Sequence, residues 1–71
     1  MDKVYLVIAG ERGEGYSVLR AFRTHEGALS FLEDCKGHCQ TPHPDYPGTW
    51  IDGTPDNWVD FVAIREMQLE D

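Results

Sequence analysis

Residues 4–9 read Val-Tyr-Leu-Val-Ile-Ala, a run with no polar position. In an extended chain successive side chains point to opposite sides. Val4, Leu6 and Ile8 therefore make one apolar face, and Tyr5, Val7 and Ala9 the other. A strand that is apolar on both faces needs cover on both, as a central strand does. That cover must come from 71 residues. This length allows one small domain, residues 1–71, and a domain of this size buries only about 60% of the surface its unfolded chain exposes.

The rest of the chain supplies three more elements. Gly10 to Gly15 holds three glycines and reads as a turn of about five or six residues. Residues 16–23 resume a strand, with Tyr16, Val18 and Phe22 on one side and Leu19 and Ala21 on the other, which makes a hairpin. Thr24 is the expected N-cap of a helix over 25–36, with Glu26 at the positive end of its dipole. Ala28, Phe31, Leu32 and Cys35 form its core stripe, and Gly37 stops it. Residues 57–69 return to strand, with apolar positions from Trp58 to Leu69. Short antiparallel connections give an α+β fold. It is a three- to four-stranded antiparallel sheet, ordered second–first–third, with one helix on one face.

One helix covers one face only. Residues 37–57 form a long Pro-rich loop with Pro42, Pro44, Pro47 and Pro55, where no helix can run, and within it Thr49-Trp50-Ile51 before Asp52-Gly53 reads as a short strand and turn. A loop this long inside a small domain is often functional. Either this loop, carrying Trp50, folds over the second sheet face, or a second copy of the chain covers it as a homodimer.

The loop holds the densest cluster of metal-ligating side chains: Cys35, His38, Cys39 and His43. Two thiols and two imidazoles suit a tetrahedral zinc site. Against it, Cys35 belongs to the core stripe, the ligands come from one short segment, and the spacing matches no zinc motif. The expectation is that no cofactor and no metal is bound. Two cysteines four residues apart make no disulfide framework.

Other motifs carry less. Gly10-x-x-Gly13-x-Gly15 lacks the Lys-Ser/Thr of a phosphate loop and leads into a strand. Asp52-Gly53-Thr54-Pro55-Asp56 lacks the spaced ligands of a calcium loop. His25, in the first helical turn, reads as a surface residue. No nucleophile–base pair declares itself, so the chain is expected not to be an enzyme.

Charge narrows the partners. The chain holds 13 acidic and 6 basic residues, a net charge of −7. Asp45, Asp52, Asp56, Asp60, Glu66, Glu70 and Asp71 face only Arg65 within residues 45–71, so the C-terminal third carries most of the field. Phosphate binding needs clustered Lys and Arg, so direct nucleic-acid binding is not expected. No apolar run approaches the roughly 20 residues of a membrane helix, and Met1-Asp2-Lys3 with its short apolar run lacks a secretory pattern. The expected location is the cytoplasm. Tyr46, Trp50 and Trp58 stand among Asp52, Asp56 and Asp60. Aromatic anchors with carboxylates around them suit a basic protein partner.

The frame Lys3-Val4-Tyr5-Leu6-Val7, then Phe22-Arg23-Thr24-His25-Glu26-Gly27-Ala28, then a final strand ending in acids, resembles a diffuse class of very small tailed-phage and prophage proteins. The resemblance covers residues 3–35 and 58–69; residues 37–57 depart from it. It implies no site residues. It implies a small acidic protein that binds a host or phage protein, as anti-CRISPR and anti-restriction inhibitors do, some by imitating the charge of DNA. The alternatives are a small zinc-stabilised module recognising its partner through loop 37–57, and a phage accessory protein without inhibitory role.

Overall fold

A computed structural model describes residues 2–69. Strand β1 (Lys3–Glu11) and strand β2 (Gly15–Phe22) form the hairpin, helix α1 spans His25–Cys35, and β3 (Thr41–Pro42), β4 (Thr49–Ile51) and β5 (Asp60–Gln68) follow. Among the described residues the class is α+β, with one helix and an antiparallel sheet. The sheet has five strands in the order β2-β1-β5-β4-β3, which corrects the expected three or four. The second–first–last pairing forms one side, and the Pro-rich segment adds two short strands beyond it. Pro42 is tolerated because β3 is the edge, where a missing N–H breaks no ladder.

The long partner of β1 is β5, in register from Lys3 opposite Gln68 to Glu11 opposite Asp60. The last strand starts at Asp60, so Trp58 lies in the preceding loop. The β1–β2 turn is tighter than expected, because β1 extends to Glu11 and β2 begins at Gly15.

The helix follows from its caps. Thr24 is extended and its Oγ1 accepts from the Gly27 N–H at 3.0 Å. Gly37, at φ 56°, provides the left-handed residue that ends the run. Ala28 and Leu32 are fully buried against Val7, Val62 and Ile64, with Phe22, Phe31 and Trp50 packed around them. Cys35 is exposed, not on the core stripe; the buried thiol is Cys39. The eleven-residue helix ends at Cys35, and the chain re-enters the core two residues beyond Gly37.

The strand alternation assigns the rest. Tyr5, Val7, Ala9, Val62, Ile64 and Trp50 belong to the helix side. Leu6, Ile8, Phe61, Ala63, Arg65 and Met67 belong to the other, here called the open face. A β-bulge shifts the β1–β2 register between Val7/Ile8, so Val7 opposes Arg20 while Ile8 opposes Val18. Leu19 is the extra residue. Tyr16 and Val18 consequently join the open face and Phe22 the helix side, which corrects the single-face grouping expected for Tyr16, Val18 and Phe22. The Phe22 and Phe31 rings lie 5.5 Å apart.

Candidate functional site

Two surfaces gather chemistry, one on each side of the sheet. The first is the open face. Trp50 does not cover it, because its register opposite Val62 turns the indole to the helix side. Partial cover comes from the loops around β4. His43 is buried; its Nδ1 accepts from the Asp45 N–H at 3.1 Å and its own backbone N–H donates to Thr49 O at 3.0 Å. Its ring lies 4.6 Å from that of Tyr46, tilted by 54°, and meets Trp58 edge-on at 5.8 Å, and Trp58 meets Phe61 edge-on at 6.0 Å. Arg12 locks this ridge from the β1–β2 turn. Its guanidinium lies 5.0 Å from the Trp58 ring centre and its backbone N–H donates to Val59 O at 2.7 Å.

Beside the ridge the face stays uncovered. Leu6, Ile8, Tyr16, Phe61, Arg65 and Met67 line a shallow cleft of about 340 Å³. Ile8 at its centre is buried, whereas Tyr16 is 63% exposed, Met67 55% and Val18 53%. Arg65 lies on this face, tied down by donating to Thr49 Oγ1 at 3.1 Å and to Ile64 O at 3.2 Å.

The second surface lies at the end of the sheet on the helix side. His38 Nε2 donates to Asp60 Oδ2 at 2.8 Å. Asp52 joins them: one ligating atom from each of the three lies within 4.8 Å of the others. The loop that carries these aspartates is held by its own backbone. Asp52 Oδ1 accepts from the Val59 N–H at 2.8 Å, the Asp52 N–H donates to Asp60 O at 3.2 Å, and Thr54 and Asn57 bond each other across the turn. Gly53 is required there, because an added Cβ would overlap the Asn57 carbonyl oxygen. The Val59 hydrogen bond, more than the nearby His38, holds the Asp52 carboxyl below its ordinary pKa. Burial raises the Cys39 thiol, and the charges of Asp52 and Asp60 add to that.

The quartet read from the sequence is not assembled. Among the described residues the group of three that converges is His38, Asp52 and Asp60, not Cys35, His38, Cys39 and His43. Cys35 faces solvent, Cys39 packs into the core, and His43 is enclosed by Tyr46 and Trp58 on the other side of the sheet. The six interface candidates also divide. Tyr46 and Trp58 form the open-face ridge with exposed Asp56 at the neighbouring turn, Asp52 and Asp60 turn to His38, and Trp50 enters the helix-side core. What the sequence missed is the meeting of His38 with Asp52 and Asp60. Its one signal is the Asp-Gly turn, whose hairpin brings residues 52 and 60 side by side.

No family model, no curated protein and no solved structure matches this chain. Among the described residues no helix is long and apolar enough to cross a membrane.

Proposed function

We propose that this chain is a non-catalytic binding protein that docks a second protein on the open face of its sheet, with the Tyr46–Trp58 ridge as the aromatic border. One observation carries the reading: exposed Tyr16, Val18 and Met67 surround buried Ile8 on a sheet face that no helix among the described residues covers. Aromatic and methionine side chains grouped on one face are what protein interfaces enrich, and water-exposed apolar patches mark interaction sites.

The partner is a protein with an apolar patch rimmed by Lys and Arg. Charge favours this occupant over a second copy of the chain. Each copy carries −7, and Asp45 and Asp56 are exposed on the loops that bear the ridge. Two copies meeting here would bring carboxylates to a shared rim, whereas a basic rim is attracted to it. A phage-encoded inhibitor of a host protein is one setting for such a surface, its acidic groups steering encounter with a site that otherwise meets nucleic acid.

The test is capture from a bacterial lysate with matched variants, together with light scattering. Tyr16→Lys with Met67→Lys abolishes capture of the bound protein, Glu26→Lys on the helix leaves it, and added salt weakens it. A chain that is dimeric, and becomes monomeric with the same two substitutions, assigns the face to a second copy and overturns the proposal. Capture that ignores both substitutions also overturns it.

A further inference from the structure

We infer that His38, Asp52 and Asp60 form a binding site for a first-row divalent cation such as zinc. The donors are a neutral imidazole nitrogen and two carboxylates, a mixed set that such ions accept readily. They come from three segments: the turn after α1, the end of β4 and the start of β5. The two aspartates are fixed by the β4–β5 ladder and by the Val59 N–H, which donates to Asp52 Oδ1. The site is therefore preorganised on the sheet, and the exposed His38 ring is the part that adjusts.

Two further observations point to a cation. The first is charge. Two carboxylates share this small volume, and Glu11 stands opposite Asp60 in the β1–β5 register. The cations of the adjoining segments are engaged elsewhere, Lys36 with Glu33 at 3.0 Å and Arg12 with the Trp58 ring. Within the cluster the His38 ring meets the aspartates through a single hydrogen bond, to Asp60. The second is geometry. His38 Nε2 and Asp60 Oδ2 are 2.8 Å apart with a proton between them. Zinc bonds of about 2.0–2.2 Å place two tetrahedral ligand atoms roughly 3.4 Å apart. A small outward rotation of the exposed imidazole exchanges the proton for the ion, and a position on the solvent side stays open for water or an anionic group.

Binding staples the turn after α1 to the sheet. It does not involve the open face, so it stands or falls separately from the docking proposal. The probe is Zn²⁺ alone, added to the full chain and followed by calorimetry, by thermal melting and by the His38 ring resonances. The expected result is one ion per chain, a raised melting temperature and a shifted His38 ring, with binding weakened by acidification because a proton competes for Nε2. His38→Ala and Asp52→Asn each weaken binding at least about tenfold. Neither should unfold the chain: the ring is exposed, and an asparagine keeps the oxygen that accepts from Val59. Cys35→Ser and His43→Gln leave binding unchanged. Binding that survives His38→Ala is nonspecific carboxylate binding and overturns the inference, as does binding lost with Cys35→Ser but kept with Asp52→Asn, or no binding at millimolar zinc.

Discussion

The two faces of one sheet are built from strands of similar composition and end differently. On the helix side, Val7, Val62 and Ile64 lie under Ala28 and Leu32, and Leu32 and Val7 are completely buried. On the open side Ile8 and Ala63 are equally apolar, but Tyr16, Val18 and Met67 around them stay in water. A β-strand offers the same row of side chains to both sides, so hydrophobic content cannot decide which side is closed. The connections decide. The turn after β2 delivers a capped amphipathic helix to one side, while the loops on the other side are short and cover only the β4 end.

The comparison can be broken by deleting side chains from each face. The largest effect is expected for Leu32→Ala, which leaves a cavity beneath the helix and should cost about 2–5 kcal/mol in chemical denaturation. Phe31→Ala should cost less, since its ring is only half-buried against Phe22. If the two rank in the opposite order, the core is not centred where the structure places it.

Next comes Trp58→Ala. The ring bridges His43, Phe61 and Arg12, and losing a half-buried aromatic with its edge contacts should cost about 1–3 kcal/mol. A cost within error of zero would mean that the ridge is ornamental to the fold and that β4 holds without it.

Tyr16→Lys with Met67→Lys should change stability by no more than about 0.5 kcal/mol each, because exposed positions are tolerant. A large loss would show that the open face is covered in solution. The smallest effect concerns acid. The Asp52 carboxyl is held below its ordinary pKa by the Val59 N–H. Its contribution is present above the ordinary carboxylate range and fades as pH falls through the lowered value. Metal-free Asp52→Asn should therefore show a shallower loss of stability on acidification than the parent, read as melting temperature against pH.

How much of this was legible varies with the range of the interaction involved. The helix was readable because its determinants are local: Thr24 reaches Gly27, three residues on, and Gly37 ends the run by its own backbone freedom. The bulge was not. Nothing in Tyr-Ser-Val-Leu-Arg-Ala-Phe marks Leu19 as the extra residue, since the shift arises from pairing with β1, and it alone moves Phe22 to the helix side. Cys35 fits the helical stripe by spacing, yet lies on the last turn, beyond the edge of what the sheet can cover.

By itself the sequence determined the antiparallel α+β class, the hairpin, the capped helix and the terminal strand, because alternation, capping and glycine stops act over a few residues. Tertiary structure alone decided the rest. It paired Thr41–Pro42 with the short Thr49–Ile51 strand and joined both to the sheet, sent Trp50 and Trp58 to opposite faces, and replaced a local Cys/His cluster by His38, Asp52 and Asp60. Those outcomes depend on which strand pairs with β5 and in what register. A one-residue shift in register reverses the face of every side chain in a strand, so the final choice rests with the packed sheet as a whole.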